Sequence, residues 1–454
     1  MNNKLIEKYR NHRLMIIYLV IGFSSVFFIE SYGQMINSDF SNKLTTDSLS
    51  LNQIISSVIQ NHPSVKEAEE AINAADAKIN IAKAGYLPYI NVTGSYTRIG
   101  PVPGIEFNNV KFQMAPENVY NSSLNYNQNI YDFGRTSRDV VLQKENKNLA
   151  QNSIDQLKQS MTLLVTSTFY SLVYLQDALA IKNDQLKTLK EHLDFIEKKK
   201  ETGSATEYEV LSTQVKISNV ESQKIDLETA RLTMISVINS LLGQPETTSI
   251  AVKKELNTHQ PQIVTDSLLS YAIRNRDEIK IAYERAKIAN LTYQFIQAQY
   301  NPMLGIYASA GYKNGYFPDL NKMTANYAAG IGLTIPIFNA TKIKNNLRLT
   351  NSQIQSANYE LEVVKRNITN EVVQANANLS ASQEKIRQFE LQLSQAKKAL
   401  SLAEISYKSG VITNLDLMDA TTAVSESQLS LLKAQIDYVV NSYKLKVAIG
   451  EKLY

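Results

Sequence analysis

The chain has 454 residues, enough for two or three globular units or for one large elongated one. Its 16 glycines and 10 prolines are about half the share of an average soluble protein, so long uninterrupted helices are expected. Cysteine is absent, which excludes disulfides, thiol nucleophiles, iron–sulfur clusters and an acylated N-terminal cysteine. The balance of 47 basic against 43 acidic residues leaves no nucleic-acid footprint.

Residues 1–13 are polar and basic, and residues 14–29 form an apolar run that ends before Ser31 and Gly33. Small residues at those two positions suit cleavage before Gln34, so 1–33 reads as a signal peptide. The run is shorter than the roughly 20 residues that span a bilayer as a helix. No later run of about 18 consecutive apolar residues occurs, so an exported chain of this kind meets a membrane again through β-strands or at its surface.

In chain order, helical text at 51–61 and 63–85 leads through Tyr86-Leu87-Pro88 into strands at about 89–99 and 119–131. A helical hairpin follows at 134–243, free of proline, broken at Gly203 and closed at Gly243. Residues 244–265, with Pro245 and Pro261, form a linker. The order then repeats: helices at 267–274 and 277–299, strands at about 303–313 and 325–337, and a hairpin at 339–450 broken at Gly410 and closed at Gly450. The two glycine pairs share an offset of 207, which also maps Leu172, Leu179, Leu186 and Leu193 onto Leu379, Ile386, Leu393 and Leu400. A tandem duplication results, with repeats at 34–243 and 266–454.

The strands alternate with period two. Ile90, Val92 and Tyr96 oppose Asn91, Thr93 and Ser95, and Leu124, Tyr126 and Ile130 oppose Asn125, Asn127 and Asn129. Four strands cannot close a membrane barrel, whose smallest bacterial form has about eight, so oligomerisation is needed and a trimer would supply twelve. Each long helix of about 70 residues reaches about 105 Å, and the two shorter helices of each repeat nearly match it end to end. Strands then gather at one end and the turns at Gly203 and Gly410 at the other. The competing architecture is an exported structural or adhesive coiled coil with a small β-head. Catalysis finds no support: His62, His192 and His259 are isolated, and no phosphate loop, nucleophile elbow or metal-ligand spacing occurs, so no enzyme, cofactor or metal is expected.

Asn61-His62-Pro63, Tyr86-Leu87-Pro88, Tyr131-Asp132-Phe133-Gly134-Arg135, Leu242-Gly243, Ile449-Gly450 and the run YKSGVITNLDLMDATTAV at 407–424 occur in an order that resembles the TolC-like outer-membrane efflux proteins. The resemblance covers about 50–454. It implies a mainly α fold with a small β part: a homotrimer whose twelve-stranded barrel in outer-membrane lipid continues into a twelve-helix periplasmic barrel. It further implies an exit duct for a tripartite efflux pump or a type I secretion system, joined to a periplasmic adaptor and an inner-membrane pump. By family position Asp416 and Asp419 would form acidic rings at the entrance, while Glu209 and Tyr407 would belong to the lock that closes it. Gly203, Ser204, Ala205 and Thr206, with Gly410, Val411, Ile412 and Thr413, would be the adaptor-docking tips. Ile412 stands where the family carries an arginine, so the usual ionic latch is not expected. A structural reading of the acids stands beside this one, because Thr206 with Glu209 and Thr413 with Asp416 also fit capping boxes.

Overall fold

A computed structural model describes residues 48–107, 110–254 and 265–454. The expected signal peptide, the central part of the linker and His259 lie outside these residues.

The first copy opens with α1 (Leu51–Asn61), whose N-terminus is closed by a capping box between Ser50 and Gln53. His62 caps α2 (Pro63–Lys83) by accepting from the Ser64 amide at 3.2 Å, with Pro63 at the first helical position where its missing N–H costs nothing. Strands β1 (Tyr89–Arg98), β2 (Gly104–Phe107), β3 (Val110–Gln113) and β4 (Asn118–Tyr131) precede the hairpin of α3 (Arg135–Glu201) and α4 (Glu207–Leu242). The second copy consists of α5 (Thr265–Asn275), α6 (Asp277–Gln297), β5 (Met303–Lys313), β6 (Thr324–Thr334), α7 (Lys342–Lys408) and α8 (Asn414–Ala448). The long helices have 67 residues each.

Strands of both copies merge into one antiparallel sheet in the order β1-β4-β5-β6, leaving β1 and β6 as edges. Register fixes the faces. Val92, Leu124, Ala310 and Tyr327 form one cross-strand row, and Ile90, Tyr126, Ala308 and Ala329 the next. The opposite face carries Asn91, Asn125, Ser309 and Ala328 in a row. The apolar face is bare: Val92 is 73% exposed, Ile331 72% and Tyr327 88%. Two details depart from the periodicity. Strand β6 stops at Thr334 instead of reaching 337, because Pro336 has no N–H to give the ladder. A bulge between Asn129 and Tyr131 makes Tyr131, and not Ile130, the partner of Leu304. The small β2–β3 hairpin inside the loop after β1 was not expected from the sequence.

The helices form a layer around α3. Its N-terminal part lies beside α2, with Lys147 Nζ 2.8 Å from Asp76, and its C-terminal part beside α4, where Lys190 meets Glu221 at 2.9 Å. Helices α6 and α8 share its other flank in the same way, and α7 packs outside them. Ile54 and Val58 of α1, Phe169, Leu172 and Val173 of α3, Ile238 of α4, and Ile436 and Val439 of α8 make the main core. Full burial of each such side chain contributes about 1.5–3 kcal/mol. The linker joins this core: Ile250 and Val252 are buried, and Leu49 bridges Val252 in parallel. One 18-residue window of α3 is apolar enough by composition to cross a membrane, but half of it is buried inside the protein, as the central position of α3 requires. The duplicated heptad diverges for the same reason. Leu172 and Leu186 of central α3 are buried, whereas their counterparts Leu379 and Leu393 of peripheral α7 are half-buried.

Candidate functional site: the helical tips

Both hairpins turn on a glycine in the left-handed region, Gly203 at φ 76° and Gly410 at φ 72°, where a side chain would be strained. Equivalent hydrogen bonds close the two helix ends, from Ser204 N to Lys199 O at 2.8 Å and from Val411 N to Ser406 O at 2.9 Å. Each returning helix then starts with a full capping box. Glu209 accepts from the Thr206 amide at 2.8 Å, and Asp416 accepts from the Thr413 amide at 2.9 Å and from its hydroxyl at 2.7 Å. These bonds from Thr413, side chain first and then backbone, hold the Asp416 carboxyl below the usual carboxylate range. The capping reading of the two acids is therefore realised in the geometry, and it leaves Asp416 exposed to solvent.

Asp419, one turn further along α8, is also exposed and pairs with Lys216 of α4 at 3.3 Å. Tyr407 is buried at the end of α7. Its ring meets His192 edge-on at 5.4 Å between centroids, and Lys199 Nζ sits 5.0 Å from its centre. Burial pushes the Tyr407 phenol up, and nearby Glu209 adds to the shift. Thus Tyr407 and Glu209 share one neighbourhood. The four residues of each tip, including Ile412, lie at the turns as expected, and all of them are exposed or half-buried. Where the family pattern has an arginine after the second glycine, the cations near these side chains are lysines of the first hairpin: Lys199 over Tyr407, Lys216 against Asp419, and Lys200 against Glu207.

Asn414 was not expected from the sequence. It is the first residue of α8 and 3% exposed, and its amide donates to Thr213 Oγ1 at 3.0 Å and to the Glu209 carbonyl at 3.3 Å. Its Oδ1 lies 2.6 Å from His192 Nε2. This one side chain joins α8 to both helices of the first hairpin. Further from the tip, Gln185 Oε1 accepts from Lys182 Nζ at 3.0 Å and from Ser425 Oγ at 2.8 Å, a second polar link between α3 and α8. Burial lowers the Lys182 pKa, opposed in part by Glu426.

A sheet with one bare apolar face, two open edges and a layer of long helices ending in paired turns is an architecture with known relatives. The family described as outer membrane efflux protein matches residues 54–244 and 268–451, one span for each copy. The chain belongs to the outer membrane efflux protein family. As a member of that family it is an outer-membrane transport protein. The alkaline protease secretion protein AprF of Pseudomonas aeruginosa is 24% identical over 341 residues, covering 73% of this chain and 69% of that protein. The outer membrane protein TolC of Escherichia coli is 20% identical over 414 residues, covering 88% and 82%. Among solved structures, the outer membrane protein VceC of Vibrio cholerae superposes with a TM-score of 0.73 at 19% identity, covering 88% of this chain and 96% of that one.

Proposed function

We propose that three copies assemble into a passive exit duct, a β-barrel in the outer membrane continued by a helical tunnel in the periplasm, which carries cargo delivered by an adaptor and an inner-membrane pump. The observation that carries this reading is the sheet. Its exposed apolar face and two unpaired edges cannot both be satisfied in one chain in lipid, and pairing β6 of one copy with β1 of the next removes the edges and gives twelve strands. The helical layer supports side-by-side association of copies. On α4 the residues Tyr208, Leu211, Val215, Ile225 and Leu232 are exposed at helical spacing, and on α7 the residues Tyr359, Val363, Leu391 and Leu402 are exposed on the opposite flank of the layer. A neighbouring copy would cover both stripes.

In this reading 1–33 is removed on export, repeats 34–243 and 266–454 each supply two strands and one hairpin, and 244–265 joins them. The Gly203-Ser204-Ala205-Thr206 and Gly410-Val411-Ile412-Thr413 turns receive the adaptor, whether of an efflux pump or of a type I secretion system. Threefold symmetry repeats Asp416 and Asp419 into rings that attract cations at the entrance. Tyr407 and Glu209 belong to the closed state of the tip. Membrane fractionation with unheated and heated SDS gels tests the assembly. An outer-membrane band that runs as a trimer until heated is expected; a soluble monomeric rod would sink the proposal and favour the coiled-coil alternative.

A further inference from the structure

Resting on the duct reading, we propose that the polar face of the sheet holds a transit site for neutral polyhydroxylated chains, built from the cross-strand row Tyr89, Asn127, Tyr307 and Gly330. Register places these four residues side by side on β1, β4, β5 and β6. The rest of that face is polar and almost uncharged. Asn91, Asn121, Asn125, Asn129 and Asn326 lie on it, and Lys313 at the far end of β5 is its single ionic side chain.

The row has a built shape. A Cβ at Gly330 would come within 2.5 Å of the Tyr307 hydroxyl and 2.6 Å of its ring, so the ring lies over β6 in space that a side chain at 330 would contest. A Cβ at Gly332, the next residue of that face, would lie 3.9 Å from the same ring. Tyr307 is half exposed and Tyr89 is 67% exposed, and among the described residues neither hydroxyl has a hydrogen-bond partner. Two flat apolar rings with free hydroxyls therefore flank an asparagine amide.

The chemistry selects the ligand class. A carboxylate, phosphate or ammonium group leaving water would need opposite charge, which the row Tyr89, Asn127, Tyr307 and Gly330 lacks. A sugar hydroxyl both donates and accepts, as the asparagine amides do, and a sugar ring presents a C–H face of the size of a tyrosine ring. Repeated three times around a barrel whose strands tilt, the row gives six rings that climb the wall in three steps, so a glycan-bearing cargo would be held briefly on its way out. Multi-site, weak binding of this kind favours conduction over trapping.

Purified full-length protein in a planar bilayer tests the site, with maltoheptaose as probe and a polyethylene glycol of equal hydrodynamic size as control. The expected result is a longer current block by the oligosaccharide than by the glycol. Tyr307→Ala and Tyr89→Ala, both at exposed positions, should shorten that block about tenfold when combined, while Tyr307→Phe keeps most of it. Equal blocks by the two polymers, or an oligosaccharide block unchanged in the alanine variants, would overturn the site and leave the duct intact. A preparation with no conductance would overturn the duct reading itself and the site with it.

Discussion

His192 and Asn414 are 222 positions apart in the chain, and their side chains meet at 2.6 Å between Nε2 and Oδ1. The contact belongs to a buried junction in which Asn414 also reaches Thr213, so the second hairpin is tied to the first through one amide. Asn414→Ala should destabilise the tip by about 1–3 kcal/mol, because buried polar groups lose their partner. In bilayers the variant should show a larger and noisier conductance than the native protein. A lower melting temperature with unaltered conductance would confine Asn414 to a packing role.

Much of the fold was legible in the sequence, and the junction was not. Scarce glycine and proline marked the hairpins because breaking a long helix needs one of them, and Gly203 and Gly410 do lie at the turns. Strand alternation gave the faces of β1 and β5 for the same local reason. Contacts such as His192 with Asn414 depend on how two hairpins pack, and no spacing along the chain encodes that. The duplication even misdirects here. Its offset equates Asn414 with Glu207, an exposed residue paired with Lys200. Strand β6 ends at Thr334 and not at 337 because Pro336 lacks the N–H of the ladder, a loss that period-two alternation does not register.

Capping and charge at Asp416 can be separated. Thr413→Val should cost about 0.5–2 kcal/mol of local stability, through loss of the cap alone. Asp416→Asn keeps an oxygen for the Thr413 amide and removes the charge. Paired with Asp419→Asn, it should abolish block by polyvalent cations with only a small fall in melting temperature, from the lost charge on the cap and the lost Lys216 pair. If the double variant is blocked as before, the two aspartates are helix caps and surface charges only. Because its folded carboxyl titrates below 3.8, Asp416 contributes stability that is present above that value and is lost as pH falls through the depressed one. A spin label at Val411 should therefore report a loosening tip at strongly acidic pH, weaker in Asp416→Asn.

Lys182 gives a pH dependence of the opposite kind. The residue is 5% exposed, and its folded pKa lies below 10.5 chiefly through burial. Between the two values the unfolded chain binds more protons, so stability should rise with pH in that window and level off near 10.5. Tyr407 pulls the other way from 10.0 upward, which overlaps the end of the Lys182 window. Its phenol is raised above 10.0, so the stability it supports falls as pH passes that value. Melting curves of native protein and Lys182→Met across this range check both. The variant should lose the rise and be as stable as native or more so near neutral pH, since replacing a buried charge with an apolar chain is often neutral or better.

The two faces of the sheet should respond differently to charge. Ile331→Arg on the apolar face should cost about 2–4 kcal/mol if it lies near the bilayer midplane, and reduce the amount of protein recovered in the outer membrane. Ser309→Arg, on the polar face, should assemble normally and shift reversal potentials toward anion selectivity. Reversed outcomes would mean that the barrel is closed with the other face inward.

Single-channel recording of the purified native protein in a planar bilayer bears most directly on the duct. Small discrete steps are expected from a tip held nearly shut, growing several-fold when Asn414 is replaced and reduced by polyvalent cations from one side only. A preparation that inserts and stays electrically silent in both forms, or that never leaves the aqueous phase, would contradict a trimeric outer-membrane channel.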